Sequence, residues 1–176
     1  KFFFNLIHLK DMSTNCKGAL TDDILFDCEA PSSPGIEVNM TLINREDIDL
    51  AATTFDPSNK LLITNLALKT DKTGFLIVGI KQIFAAGHEL IVKEDGPNKW
   101  KHSFTGAVLS PTVENKNRIQ EMSEGASLVA VIETKFKGKD QKDAFQVIGL
   151  EQGLELSAAT WNSNENSGTL PFELTS

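Results

Sequence analysis

Hydrophobic and polar residues alternate with a period of two over much of the chain. In "GIEVNMTLIN", polar neighbours separate four apolar residues, Ile36, Val38, Met40 and Leu42. This pattern is typical of a strand that buries one face. The cluster "PSSPG" before it contains two prolines and a glycine, which mark the place where the strand begins. The pattern predicts a mainly β protein.

Further strands follow from the same pattern. "NKLLITNLALKT" and "KTGFLIVGIKQIF" predict two strands joined around Asp71 to Gly74, with Gly79 marking a bulge. "HELIVKE" and "KWKHSFTGAVLS" flank the turn "DGPN" and predict a hairpin. "SLVAVIETKF" and "AFQVIGLEQGLELS" flank the charged loop "KGKDQKD". "GTLPFELTS" predicts a last short strand, which Pro171 favours at a sheet edge.

One segment, "SPTVENKNRIQEMSEG", has the signals of a helix. Ser110 is the predicted N-cap, Pro111 the first helical residue and Gly125 the terminator. Three apolar residues share one predicted face: Val113, Ile119 and Met122. The predicted fold class is therefore mainly β: an antiparallel β-sandwich or partly closed barrel with one flanking α-helix at about residues 111–124.

The chain is predicted to have an N-terminal arm, residues 1–34, and a single β-sandwich domain, residues 35–176. Within the arm, Met12 would make a natural start, so residues 1–11 are interpreted as an upstream extension. The apolar run at residues 2–9 is too short to cross a bilayer and lacks signal-peptide features, so no membrane association is predicted.

Composition narrows the classes of function. The net charge of −7 disfavours a nucleic-acid binder, which needs clustered lysine and arginine. The chain has eleven Phe, two Trp and no Tyr, which slightly disfavours an exposed aromatic face for carbohydrate. Cys16 and Cys28 are predicted to be reduced and structural, since a secreted scaffold of this size more often carries several disulfides.

Two segments resemble cation sites. "NSNENSG", residues 162–168, has side-chain oxygens at alternate positions, but its glycine comes one place late and its ligands are mostly neutral amides. A hairpin turn is therefore favoured. In "NREDID", Asp47 and Asp49 would share a face if extended and could hold a metal, although a solvated acidic face is favoured.

No catalytic motif is present. The histidines, His8, His88 and His102, are scattered along the chain, and phosphate-loop, CxxC and HExxH patterns are absent. We therefore expect no enzyme activity, no cofactor and no bound metal.

Several phrases resemble one known family. They are the C-terminal run "ASLVAVIETKFKGKDQKDAFQVIGLEQGLELSAATWNSNENSGTLPFEL" with the helix before it, "CKGALTDDILFDC", "INREDIDLAATT" and "KTGFLIV". Together they cover most of residues 12–176. This pattern is similar to that of tail-tube, or major tail, proteins of tailed phages, which are themselves similar to the tube proteins of contractile injection systems. The match is one of whole-chain pattern rather than of a catalytic motif.

The resemblance implies a structural protein of the virion tail, made in the host cytoplasm. It would form homo-oligomeric, hexameric rings that stack into a tube, contact other tail proteins and let DNA pass without specific binding. Arms and a long hairpin would bridge subunits, with candidate contacts at Phe2, Phe3, Phe4, Leu6, Glu94, Asp95, Pro97 and Trp100. An acidic lumen would repel phosphates, with candidate lining residues Glu46, Asp47, Asp49, Glu133 and Glu151.

Other functions stay open at this point. A head-decoration or tail-terminator protein of the virion would have a similar sequence pattern. A β-sandwich adhesin or carbohydrate-binding module would be a monomer with an exposed aromatic platform. Oligomeric state separates these alternatives.

Overall fold

The computed structural model describes residues 24, 33–59, 61–80, 82–138, 143–164 and 168–176. These residues form ten strands, one short 3-10 turn and one α-helix. In chain order they are β1 (Ile36–Asn44), the 3-10 turn (Arg45–Asp47), β2 (Thr54–Phe55), β3 (Ile63–Asn65), β4 (Phe75–Val78), β5 (Ala85–Ile91), β6 (Lys99–Val108), α1 (Val113–Ser123), β7 (Leu128–Thr134), β8 (Phe145–Ile148), β9 (Glu155–Ala159) and β10 (Leu170–Thr175).

The strands form two four-stranded antiparallel sheets and a small ribbon. The first sheet has the order β4-β1-β7-β8, the second has the order β5-β6-β10-β9, and β2 pairs with β3. Neither large sheet closes into a barrel within the described ranges. The predicted fold class is confirmed as a partly closed, mainly β sandwich with one helix.

The main core lies between the two large sheets. Alternate residues of β1 and β7 point into it and meet alternate residues of β6 and β10, as the period of two requires. Phe104 is one of the largest side chains in it and is 0% exposed. Buried members from the sheets are Met40, Leu42, Phe104, Leu128, Ala130, Ile132, Ile148, Leu170, Phe172 and Leu174.

A second, smaller cluster covers the opposite face of β1 and β7. Ile43 and Val129 are buried there beneath side chains from the excursion between β1 and β4, including Ile48, Leu66 and Leu68. Backbone hydrogen bonds fasten this excursion: the N–H of Asp49 donates to Ala67 O at 3.0 Å and that of Lys69 to Asp47 O at 2.9 Å. The central pair of the first sheet is therefore buried on both faces.

The helix begins two residues later than predicted. Thr112 is the N-cap, and its hydroxyl accepts a hydrogen bond from the Asn115 N–H at 3.3 Å. Ser110 instead accepts, through its carbonyl, from the Asn115 side chain at 2.7 Å. Ile119 and Met122 pack against the core as predicted. Val113 is 70% exposed because it lies in the first turn of α1, at the end of the surface between the helix and the core.

Two predicted strand details are wrong. Val38 is 41% exposed, since the register between β1 and β7 shifts between Ile36 and Met40. Gly79 follows β4 rather than bulging within it, and its N–H donates to Val38 O at 2.7 Å. A Cβ at Gly79 would lie 2.5 Å from both Ile83 and Phe84, so close packing accounts for the glycine.

The last strand, β10, is central rather than an edge, so the prediction from Pro171 is wrong. It pairs with β6 on one side and β9 on the other. Pro171 is tolerated because the ladder to β9 begins only at Phe172, so the missing N–H is at the start of the strand. The Pro171 carbonyl still accepts from the Thr160 N–H at 3.2 Å.

We expect Phe104→Ala to lower the free energy of unfolding by about 3–5 kcal/mol, because it leaves a cavity where the two sheets meet. Urea denaturation at low protein concentration measures this loss. The matched control is Phe145→Ala, where the ring is 65% exposed and the expected loss is below about 1 kcal/mol. Equal losses for the two variants would contradict the position of the core.

Candidate functional site

The strand β4 is an edge strand with apolar side chains on both faces. Among the described residues it pairs with β1 alone. The register puts Phe75 and Ile77 on the inner face, beside buried residues of β1, and Leu76 and Val78 on the outer face. Leu76 is 63% exposed and Val78 57% exposed. The far edge of β4 therefore presents unpaired backbone groups between two apolar surfaces.

An apolar groove of about 840 Å³ lies between the inner face of β4 and α1. Phe75 and Ile77 line it from the strand, Ile119 and Met122 from the helix, and Leu42 from its floor. The first sheet and the helix do not close over this space, so the groove continues the exposed apolar surface of β4.

The hairpin of β5 and β6 projects beyond the second sheet. β5 pairs with residues 99–105 of β6, whereas β10 covers only residues 103–108. At the tip, the predicted contact residues Glu94, Asp95 and Pro97 are exposed, and Trp100 is 55% exposed opposite Leu90. These four stay predictions. The other four, Phe2, Phe3, Phe4 and Leu6, lie outside the described residues.

The structure brings together two of the three histidines that are scattered along the sequence. His88 and His102 are direct cross-strand partners, and their Nδ1 atoms are 2.6 Å apart. The rings meet edge to face, with centroids 4.8 Å apart. Burial, followed by the charge of His88, lowers the pKa of His102. Counting outward from the "DGPN" turn in both directions would instead pair His102 with Ile91, because the connection between β5 and β6 runs from residue 92 to residue 98.

The segment "NREDID" is a 3-10 turn rather than an extended strand, so the expected shared face of Asp47 and Asp49 is wrong. The Asp47 carboxylate is buried, accepts from the Asn44 amide at 3.0 Å and pairs with Lys72 at 2.9 Å. The Asp49 carboxylate accepts from the backbone N–H groups of Ala51 and Ala52. Both side chains stabilise local structure, and Asp47 is withdrawn as a lining residue.

The remaining acidic candidates differ in exposure and in pairing. Glu133 is half-buried on β7 and pairs with Lys137, which neutralises it. Glu46 and Glu151 are exposed, and Arg45 connects their two loops by donating to the Glu151 carbonyl. No group of three or more His, Cys, Asp or Glu side chains placed to hold a metal occurs in the part of the chain that the structure describes.

The "NSNENSG" segment lies in the connection between β9 and β10, which pair as antiparallel neighbours, so the predicted hairpin is confirmed. The N–H of Asn164 donates to the Asn162 side chain at 3.0 Å, an Asx-turn contact. Glu165, the one carboxylate of this segment, lies outside the described residues.

Comparison of the chain with protein-family models, with curated proteins and with solved structures found no match. Across the described ranges, no helix has the length and apolar character needed to cross a membrane.

The Asp47 ion pair makes stability depend on pH. The hydrogen bond from Lys72, and then that from Asn44, lower the pKa of Asp47 below its usual 3.8. A lowered pKa in the folded state adds stability above the unfolded pKa, and this stability is lost as the pH falls through the folded pKa. We therefore expect Asp47→Asn to lower the Tm at pH 7.

The difference in Tm from the wild type should begin to shrink as the pH falls below about 4, where the carboxyl of the unfolded chain takes up its proton, and should be lost as the pH falls through the lower pKa of the folded state. Thermal melts between pH 3 and pH 7 measure it. Glu89→Gln, at an exposed position of β5, is the control and should change Tm little at any pH. A Tm difference for Asp47→Asn that is constant over this range would contradict the ion pair's contribution.

Proposed function

We propose that this protein is a virion structural protein that assembles into stacked hexameric rings and forms the tail tube of a tailed phage. The observation that carries the proposal is β4, an edge strand that is apolar on both faces and open along its outer edge. The resemblance of the sequence to tail-tube proteins supplies the particular assembly, and the sandwich with one helix agrees with it.

An edge such as β4 favours pairing with another strand. Its free N–H and C=O groups form a template for strand addition, and its apolar side chains add burial to that pairing. The run from Gly74 to Ile80 contains no charged residue, and charged residues are a common means of preventing edge pairing. A second copy of this chain is the partner that we infer.

The first sheet can continue from copy to copy in a head-to-tail ring. Its other edge is β8, where Phe145 is 65% exposed. Because successive strands of the sheet alternate in direction, β4 and β8 run oppositely. Placing β8 of one copy beside β4 of the next therefore gives an antiparallel pair. A contact between two different edges generates a ring when the rotation closes.

The net charge of −7 suits a channel that DNA must pass without binding. Glu46 and Glu151, which are exposed and lie on loops joined through Arg45, are the carboxylates that we retain as lining candidates. Asp47 is excluded by its burial and its pairing with Lys72.

A carbohydrate-binding module is supported less well. Such a module needs an open aromatic platform, but the Lys116 ammonium lies 3.9 Å from the ring centroid of Trp161 and occupies one face of this ring, which is 48% exposed. Trp100 is exposed on a hairpin without a second aromatic residue paired to it. Head decoration and tail termination remain alternatives within the virion, and they differ from the tube in how the copies assemble.

Replacing Leu76 and Val78 together by lysine tests the assembly. We expect wild-type protein to form rings or tubes, seen by negative-stain electron microscopy and by light scattering. The double variant should stay monomeric or need at least about tenfold more protein, since two charges oppose strand addition. Sulfate salts, which strengthen apolar burial, serve to promote assembly.

The matched control is Leu61→Lys, where the side chain is 93% exposed and belongs to the connection between β2 and β3. This variant should assemble like the wild type. A wild type that stays monomeric and binds sugars would contradict the tail-tube proposal, and so would tubes that form equally well with the double lysine variant.

A further inference from the structure

The cross-strand pair of His88 and His102 lies at the root of the projecting hairpin. On the inner face, the pair lies between the pair of Ala86 and Phe104, of which Phe104 is a core residue, and the exposed pair of Leu90 and Trp100. We propose that His88 and His102 bind a divalent transition-metal ion of the imidazole-preferring class, such as zinc, through their facing Nδ1 atoms. The proposal concerns the single chain and is independent of ring assembly.

The distance between the two nitrogens is the first argument. Two Nδ1 atoms 2.6 Å apart can share one proton, with one imidazole donating and the other accepting. With metal–nitrogen bonds of about 2.0–2.1 Å, two ligand nitrogens are about 2.9–3.4 Å apart. A small rotation of both rings therefore replaces the shared proton by a metal ion, without a change in strand register.

The surroundings of the pair are the second argument. His88 is exposed and His102 half-buried, so water can complete the coordination on the open side. Burial and then the charge of His88 lower the pKa of His102, and the charge of the Glu151 carboxylate opposes them to a smaller extent. A cation at the pair would therefore meet a nearby negative charge, within a protein whose net charge is −7.

The backbone holds the two histidines in place before the ion binds, so the entropic cost of ordering them on binding is reduced. The His102 N–H donates to the Ser176 hydroxyl, and the Ser176 N–H donates to the His102 carbonyl, both at 3.1 Å. A bound ion would join β5 to β6 just beyond the residues of β6 that β10 covers. Its effect would be to stiffen the root of the hairpin.

Zinc chloride added to the full chain tests the proposal. Calorimetric titration gives the affinity and stoichiometry, and NMR of ¹⁵N-labelled imidazoles shows which ring nitrogens bind. All proteins carry Cys16→Ser and Cys28→Ser, because thiolates also bind zinc. We expect one zinc ion per chain, shifts at the Nδ1 atoms of His88 and His102, and a Tm that rises with zinc concentration.

The variants His88→Gln and His102→Gln should each weaken zinc binding at least about tenfold, since each removes a ligand. Loss of a residue that only hydrogen-bonds to a metal ligand already weakens binding by about tenfold or more. His8→Gln is the matched control and should leave the affinity unchanged. Glu151→Gln should weaken binding less than either ligand variant. Equal affinity in the wild type and the His88→Gln, His102→Gln double variant would overturn the proposal, as would zinc binding that leaves both Nδ1 signals unshifted.

Discussion

The pairing of β1 with β7, buried on both faces, is the constraint on which the rest of the structure depends. A strand pair that is apolar on both sides needs two covers. The second sheet covers one face through Phe104 and its neighbours, and the excursion between β1 and β4 covers the other through Ile48, Leu66 and Leu68. The order of the elements along the chain follows from this need, because the second cover must leave β1 and return before β4.

The 3-10 turn after β1 begins the excursion that covers this second face. Polar contacts of the turn hold it against neighbouring loops. The Arg45 N–H donates to the Ser127 carbonyl at 2.9 Å, and the Arg45 guanidinium donates to carbonyls of the β8–β9 loop. Asp47 is drawn inward with the turn, so its charge needs partners, which Lys72 and Asn44 supply. Asp47 and Asp49, which resemble a solvated acidic face in the sequence, thus stabilise the fold of this turn.

Much of the fold could be predicted from the sequence because period-two alternation and turn residues act locally. The β5–β6 and β7–β8 hairpins are examples. The errors share a different cause. Pro171 is tolerated in a central strand because the ladder with β9 begins one residue later, at Phe172. The burial of Asp47 could not be predicted because its partner Lys72 lies 25 positions away in the chain. Periodicity does not specify which elements pack together. The His88–His102 pair was also missed by local reasoning, since the observed register of the hairpin differs from the one that the "DGPN" turn indicates.

The four edges of the two large sheets differ in a way that bears on assembly. In the second sheet, the edge strands β5 and β9 carry Glu89 and Glu155, charges of the kind that oppose strand addition. In the first sheet, the edge strands β4 and β8 contain no charged residue. These two unguarded edges belong to one sheet and run in opposite directions, so each has the geometry that the other needs in a neighbouring copy. The distribution of charge among the edges therefore favours continuation of the first sheet and protection of the second.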